Sequence, residues 1–361
     1  MAGPVEIVCD ESGYEGDRLV GSTTALFAHA SVLISEAEAA TILAELRARI
    51  RSPATQYKAN HLLRPRHRAV LEWFLGPDAP LRGRASVFVV DKTHYVLARV
   101  VELLLGDGPL APGGAALRPE TELLHRYVTR ASASIVERRL PEVANDLLRR
   151  RGSADQFFTV VTEIRGGLAA PQAARRPRDT AGSALPTPNG PRAIAPLPPE
   201  AVNAPREGVR SGPLAANGPP PSGVDDLLGW LAGAGARAAE YRAALAADPE
   251  AAGASVDPLT PAILAAVRRW DAGHGVTVAH DRQIALSSTR VARLRTWSDG
   301  RLAAVRFLVA EDEPRIQLAD ILAGTVRALL SSGDATARPF VDPASLLPHA
   351  GHHDVADLTG P

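Results

Sequence analysis

The spacing of apolar and polar positions predicts strands and helices that alternate along the chain. The first apolar run, residues 5–10, is mostly β-branched or small and leads directly into a polar turn at Glu11, Ser12 and Gly13. It therefore predicts a strand buried at the centre of a sheet. Further strands are predicted over residues 18–24, 28–34, 85–91, 156–164, 276–281 and 302–309. The short glycine-rich link after the first strand predicts an antiparallel meander at the start of the sheet.

Apolar positions that recur every three or four residues predict helices between these strands. The clearest helix start is at Ser35, which with Glu38 has the pattern of a capping box. The other predicted helices cover residues 65–75, 120–151, 224–246 and 261–272, a stretch ending near Trp297, and a last helix that begins at Pro314. Pro141 is expected to divide the long 120–151 stretch in two.

A change of composition interrupts this pattern between residues 166 and 223, where Pro, Gly, Ala and Arg dominate without periodicity. Such a segment buries too little apolar surface to offset the entropy lost on ordering it, so we expect a disordered insert. Residues 1–165 and 224–332 then form one α/β domain, and residues 333–361 are expected to be a flexible tail.

The overall composition, with 45% hydrophobic and 22% charged residues, is that of a soluble globular protein. No apolar run is long enough to span a membrane, and the first residues lack the pattern of a secretory signal, so we expect no membrane partner. Cys9 is the single cysteine, and its place in the first strand predicts a small buried side chain rather than a nucleophile. A cytoplasmic location is the natural expectation.

The charges balance to a formal net charge of zero, so no overall basic field indicates nucleic-acid binding, and such a partner would need a local basic patch. Lys58 and Lys92 are the only lysines among 40 basic residues. They are candidates for positions that need a compact ammonium to pair with a carboxylate or phosphate. Chance retention of two lysines is the alternative.

Three of the predicted strands end in an acid, namely Asp10, Asp91 and Asp281. A carboxylate at the edge of a hydrophobic sheet is costly unless a cation, a metal or several hydrogen-bond donors accompany it. Successive side chains of a strand face opposite ways, so Asp10 and Glu11 cannot both line one site unless the strand frays. We expect Asp10 to be the one that points inward.

The last predicted helix is apolar on nearly every side, and Asp320 is its only charge between Arg315 and Arg327. Small residues such as Gly324 would let this helix lie close to the sheet. Gln317 and Asp320 share a face because they are three positions apart. Acids at two strand ends and on a buried helix form the usual arrangement for Mg²⁺ or Mn²⁺ held beside a phosphate.

Each of these acids also has a structural interpretation. Asp10 and Asp281 could end their strands in solvated turns, and Asp91 could pair with a neighbouring basic side chain. Asp320 could form a buried ion pair with Lys58 or an arginine, with little effect on stability.

A set of short motifs runs in order through both halves of the predicted domain: Asp10-Glu11-Ser12-Gly13, Lys58, Asp91-Lys92, His280-Asp281, and Gln317-Leu-Ala-Asp320 with Ala323-Gly324. Together they resemble the domain of unknown function 3800 family, which has a ribonuclease H-like fold. The resemblance implies a mixed sheet that begins with a meander and is flanked by helices, with acids gathering as in the metal-dependent nucleases of that fold. The chain departs from the family pattern at two places. It has Gln56 where the family has an acid before the lysine, and it has Val309-Ala310 where the family has Asp-Ser before the last helix. Either departure could weaken metal binding or remove a substrate contact.

We therefore expect a metal-dependent nuclease that hydrolyses phosphodiester bonds of RNA or DNA. In this interpretation Asp10, Asp281 and Asp320 hold one or two Mg²⁺ or Mn²⁺ ions, and Glu11 or Asp91 completes the ligand shell.

Two further side chains have expected roles in that site. Lys58 is expected to contact the scissile or an adjacent phosphate, and Gln317 to orient water or Asp320. The alternative function is a non-catalytic interaction protein of a defence or toxin-like module, in which the same acids form an ion-pair network.

Overall fold

The computed structural model describes residues 3–51, 57–106, 110, 118–149, 152–169, 223–281, 285–309 and 312–348. The expected disordered insert lies outside the described residues except for its two ends, residues 166–169 and residue 223. Gln56 and Ala310, two of the positions that depart from the family pattern, also lie outside.

Five strands form one mixed sheet in the order β3-β2-β1-β4-β5. They are β1 (Val5–Ser12), β2 (Leu26–Val32), β3 (Ala85–Asp91), β4 (Val276–Asp281) and β5 (Leu302–Leu308). β2 is antiparallel to both β1 and β3, whereas β4 is parallel to β1 and β5 is parallel to β4. The sequence segments before and after the insert thus contribute to the same sheet, and β1, β3, β4 and β5 all end at one edge of it.

Helices cover both faces of the sheet. They are α1 (Glu36–Ile50), α2 (Ala59–Leu62), α3 (Arg68–Leu75), α4 (Lys92–Leu105), α5 (Pro119–Thr129), α6 (Ile135–Leu148), α7 (Asp155–Ala169), α8 (Val224–Gly233), α9 (Gly235–Ala247), α10 (Pro249–Val256), α11 (Leu259–Trp270), α12 (Ser288–Trp297) and α13 (Pro314–Ser331). The predicted capping box begins α1: the Ser35 hydroxyl accepts a hydrogen bond from the Glu38 N–H, and the Glu38 carboxylate accepts one from the Ser35 N–H. The α/β class is confirmed, with a mixed sheet flanked by helices.

A hydrophobic core lies on each side of the sheet. Ala28 and Val89 pack on one side with α1, α3 and α13, and Ile7 and Phe27 pack on the other side with helices from α4 to α12. Cys9 is fully buried in the second of these cores, as predicted. Because both faces are covered, polar side chains of the central strands reach solvent only where the strands end.

The last helix, α13, lies against β1 and β2, and its contact with α2 depends on Gly324. A Cβ atom at Gly324 would lie 2.8 Å from the Cβ of Ala59 and 3.6 Å from the Oγ of Ser12. The first distance is shorter than real Cβ contacts, so a glycine here lets α2 and the end of β1 approach the helix. The predicted close packing of this helix is confirmed.

Residues 18–24, predicted as a strand, form a loop instead. The Oδ1 of Asn145 accepts hydrogen bonds from the backbone N–H groups of Leu19 and Val20, and the ammonium of Lys92 donates to two hydroxyl groups of the same loop. Side chains therefore supply the partners that a neighbouring strand would otherwise provide.

Residues 156–164, also predicted as a strand, belong to helix α7. Their β-branched and aromatic composition suggested a strand, but the buried residues recur at helical spacing: Phe157, Val160, Val161 and Ile164. The spacing of buried positions, rather than residue type, decides the structure here.

The long helical stretch divides between Thr129 and Ile135, not at Pro141, which lies inside α6. The reason is a second capping box, in which the Ser134 hydroxyl and the Glu137 carboxylate each accept the other residue's N–H. This start signal places the beginning of α6 at Ile135, almost two turns before the proline.

The C-terminal segment packs on the sheet as far as residue 348, in contrast to the predicted flexible tail. A 3₁₀ helix, Ala335–Phe340, is followed by bridges from Val341 to Val87 and from Leu346 to Val90 of β3. This segment covers the outer edge of β3, whose backbone groups would otherwise lack partners. Residues 349–361 lie outside the described part of the chain.

Candidate active site

Two of the predicted acids lie side by side at the edge where β1 and β4 end. Val8 of β1 and Ala279 of β4 pack with Ile316 of α13. Asp10 and Asp281 are each two residues further along, so they also face α13. The two strands are paired in parallel up to the residues just before these acids, which places the carboxylates next to each other.

The third acid, Asp320, lies one helical turn after Ile316 on the same face of α13. Its Oδ2 is 2.5 Å from the Nζ of Lys58, the residue that directly precedes α2. The Lys58 side chain is 56% exposed and that of Asp320 is 21% exposed, so the ion pair lies at the boundary between the site and solvent. The expected pairing of Asp320 with Lys58 is therefore confirmed, but the ion pair is partly exposed rather than buried.

The electrostatics of Asp10 show that the acids influence one another. Burial, followed by the negative charges of Glu11, Asp320 and Asp281, raises the pKa of Asp10 to about 8, although the hydrogen bond from the Glu11 N–H opposes this change. Asp10 is only 7% exposed. It therefore carries a proton at neutral pH unless another cation enters the cluster.

Lys58 responds to the same cluster. Burial lowers its pKa, but the hydrogen bond to Asp320 and the charges of Asp320, Asp10 and Asp281 outweigh that effect and raise it. The structure thus brings Asp10, Asp281, Asp320 and Lys58 into one electrostatic unit, although they are far apart in the sequence. Their roles in catalysis and metal binding remain predictions.

Glu11 faces the opposite side of the sheet. It pairs in register with His29 of β2, and its Oε2 lies 3.6 Å from the Nε2 of His280. His29 and His280 are both buried and stacked, with Nε2 atoms 3.2 Å apart, and burial lowers the pKa of both imidazoles. Because β1 continues as a regular strand through Ser12, the Glu11 side chain starts from the face opposite Asp10, although its charge still raises the pKa of Asp10. The expected place of Glu11 in the ligand shell stays a prediction.

Asp91 also lies apart from the cluster, so the expectation that it completes the metal shell is wrong. Its Oδ1 accepts a hydrogen bond of 2.8 Å from the His94 N–H and caps α4. On the shared neighbour β2, Asp91 of β3 pairs with Leu26 and Asp10 of β1 pairs with Ala30. The two acids are therefore separated by two strand spacings and by four residues along the strands. This separation corresponds to roughly 16 Å between the two positions.

Gln317 lies on the same face of α13 as Asp320, three positions earlier. Its Oε1 accepts a long hydrogen bond of 3.5 Å from Arg47 of α1. This contact connects α13 to α1 beside the cluster. The predicted role of Gln317 in orienting water or Asp320 stays a prediction.

The carboxylates of Asp10, Asp281 and Asp320 supply oxygen atoms, the ligand type that Mg²⁺ and Mn²⁺ bind. A cation would also relieve the mutual repulsion that raises the pKa of Asp10. Within the described residues, however, no three His, Cys, Asp or Glu side chains are already arranged around a metal position. The donor chemistry fits a hard divalent ion, while in this structure the ammonium of Lys58 supplies part of the positive charge.

Sequence reasoning overlooked two features near this site. One is the buried His29–His280 pair, which could have been suspected because each histidine lies within an apolar strand. The other is the basic character of residues 58–68, a run without any acid in a chain of balanced charge.

A scan against protein-family models, a search of curated proteins and a search of solved structures each find no match for this chain. These comparisons leave the resemblance to the domain of unknown function 3800 family, and the ribonuclease H-like fold that it implies, as a hypothesis. None of the helices in the described part of the chain is long and apolar enough to cross a membrane.

Proposed function

We propose that this protein is a metal-dependent nuclease that hydrolyses phosphodiester bonds of RNA or DNA on a ribonuclease H-like sheet. One observation carries the proposal: Asp10, Asp281 and Asp320 come from three core elements and meet an exposed ammonium, Lys58, at one edge of a buried sheet. Perturbed pKa values in a cluster of charged groups mark a candidate functional site.

The architecture of the sheet supports the proposal. The antiparallel strands β1 to β3 and the parallel strands β4 and β5 match the mixed sheet that the family resemblance implies. The acids lie beyond the carboxyl ends of β1 and β4, the edge at which open α/β sheets usually bind their ligands.

In the proposed mechanism Asp10, Asp281 and Asp320 hold one or two Mg²⁺ or Mn²⁺ ions. When bound, such an ion stabilises negative charge on the phosphate and lowers the pKa of a water molecule. Asp10 would have to be ionised to hold such an ion, so a rise in pH toward 8 would favour metal binding. Lys58, at the solvent boundary, exchanges its contact with Asp320 for a phosphate oxygen of the substrate.

A second candidate is an interaction protein that uses the acids only as an ion-pair network. The 2.5 Å contact between Lys58 and Asp320, together with a protonated Asp10, would neutralise two of the three aspartates without any metal. Thermal unfolding separates the two candidates, because an ion that binds only the native state raises its stability by RT ln(1 + [L]/Kd).

The decisive experiment is cleavage of labelled single-stranded and structured RNA and DNA by the purified protein with Mg²⁺ or Mn²⁺. We expect cleavage that chelation abolishes and that Asp10→Asn and Asp320→Asn each remove without unfolding the protein. Asp78→Asn, a matched change at an exposed acid, should leave cleavage intact. If the folded wild type leaves the whole panel uncut with both metals and shows no thermal shift, the interaction-protein candidate replaces the nuclease.

A further inference from the structure

A basic segment begins at the lysine of the acid cluster and leads away from it. Residues 58–68 read Lys-Ala-Asn-His-Leu-Leu-Arg-Pro-Arg-His-Arg and contain no acid, although the whole chain has a formal net charge of zero. The segment comprises α2, a 3₁₀ turn over Pro65–His67 and the first residue of α3. α2 packs against α13, and Leu62, Leu63 and Pro65 line a surface cavity together with Ala328 and Leu329 of α13.

Two arginines of this segment are exposed and available to a ligand. Arg68 already contacts Glu72 at 2.9 Å and Asp334 at 3.6 Å. Arg64 and Arg66, in contrast, form no ion pair with any carboxylate of the described residues, and both side chains are exposed.

The neighbourhood of His67 shows how closely these cations are grouped. The Nε of Arg66 donates a 2.9 Å hydrogen bond to the Nε2 of His67, which requires that nitrogen to be unprotonated. Burial lowers the pKa of His67, and the charges of Arg66, Arg64 and His61 lower it further. The positive charges are thus close enough together to act as one patch.

A surface cavity of about 350 Å³ lies beside this patch, between the basic segment and the C-terminal end of α13. Its walls include Leu62, Leu63, Leu71 and Leu329, and Arg64 lies among its lining residues. The lining is part apolar and part polar, because Arg68, Ser332 and Asp334 also belong to it, and Arg68 contacts Asp334 at 3.6 Å. A cavity that combines leucine side chains with a guanidinium that pairs with no carboxylate of the described residues suits a group with apolar faces that is attached to an anion. A nucleotide has this combination.

The cavity is within reach of the acid cluster. Ala328, which lines the cavity, lies eight residues after Asp320 on α13, a separation of about 12 Å along the helix axis. A short oligonucleotide can therefore contact the acids and the cavity together.

We propose that residues 58–68 guide a single-stranded nucleic acid away from the acid cluster, with phosphates on Arg64 and Arg66 and one unpaired base in the cavity. The inference rests on the proposed nuclease function and names the strand type of its substrate. A single strand is favoured because a base can enter the cavity only when it is unpaired and unstacked. The planar guanidinium groups bind phosphate oxygens in pairs.

Fluorescence anisotropy with labelled 20-nucleotide single strands of DNA and RNA, in EDTA so that nothing is cut, tests the phosphate contacts. The slope of log K against log salt changes by about 0.7 per phosphate contact for single strands, so Arg64→Ala/Arg66→Ala should make it shallower by about 1.4. The matched control Arg82→Ala/Arg139→Ala removes two exposed arginines elsewhere and should leave the slope unchanged. Equal slopes for both double variants would overturn the proposal. It would also be overturned if polyglutamate displaced the labelled strand as well as an unlabelled oligonucleotide does.

The cavity has its own test, which compares a 20-nucleotide oligothymidylate with an abasic strand of the same length and charge. The wild type should bind the abasic strand more weakly than the oligothymidylate. Ala328→Trp, which fills the cavity, should weaken binding of the oligothymidylate and leave binding of the abasic strand unchanged. The abasic strand therefore also reports that the variant is folded. Equal loss for both strands would refute the base-binding cavity.

These outcomes are independent of cleavage. A salt slope that depends on Arg64 and Arg66 in a protein that cuts nothing would support the binding path and refute the nuclease. Metal-dependent cleavage, together with a salt slope that does not change in Arg64→Ala/Arg66→Ala, would support the nuclease and refute the binding path.

Discussion

Replacing Asp10 with asparagine should stabilise the metal-free protein, and the gain should grow as the pH rises. The pKa of Asp10 is about 8 in the folded protein against 3.8 as the ordinary value, so between these two pH values the folded state holds a proton that the unfolded chain has lost. Stability therefore falls with rising pH through this window. Asparagine does not titrate, so Asp10→Asn lacks this loss.

The magnitude follows from the pKa change. One pKa unit corresponds to about 1.4 kcal/mol, so between pH 5 and pH 8.5 the advantage of Asp10→Asn over the wild type should increase by about 4 kcal/mol. Urea unfolding in EDTA at several pH values measures this difference directly. Saturating Mn²⁺ should shrink the difference at high pH, because the ion stabilises the ionised carboxylate only in the wild type.

The control is Asp78→Asn, which makes the same chemical change at an exposed position. Its stability relative to the wild type should not follow the same pH profile. If Asp10→Asn shows no growing advantage between pH 5 and pH 8.5, Asp10 is not a protonated member of an acid cluster, and the electrostatic argument for the site fails.

Three further predictions concern the scaffold. Gly324→Ala should destabilise the protein by about 1–3 kcal/mol in urea unfolding, because the new methyl group overlaps the Cβ of Ala59, whereas Gly229→Ala in α8 should be neutral or stabilising. Ending the chain after residue 333 should lower the free energy of unfolding by about 2–4 kcal/mol, because it removes buried side chains. It should also cause association that light scattering detects, because it uncovers the edge of β3. Replacing residues 170–220 with a short linker should leave the melting temperature nearly unchanged, since loop-closure entropy varies slowly with length, and a loss of several kcal/mol would contradict the composition-based expectation.

The elements that carry the site could be predicted because their patterns are local. The central strand β1, the strand β4 and the apolar helix α13 each have a clear periodicity and clear ends. The sequence also shows where the acids lie on these elements, namely at the two strand ends and in the apolar part of the helix. Lys58 stood out because lysine is rare in this chain, and it does contact Asp320.

The errors arose where long-range packing decides the structure. Residue type alone suggested a strand in α7, but the helix forms because one side of it is buried against its neighbours. Asp91 ends a strand as Asp10 does, yet the register of β3 against β2 places it far from the other acids, and no local pattern encodes that register.

The order of the site residues along the chain has a consequence for when the site can exist. Asp10 lies in the first strand, whereas Asp320 lies in helix α13. During synthesis the first acid leaves the ribosome long before the helix that completes the cluster, and the contacts between them close a very long loop. A nascent chain, or one cut before Pro314, therefore lacks the assembled acid cluster, so any activity that depends on the cluster begins only after almost the whole chain has been synthesised.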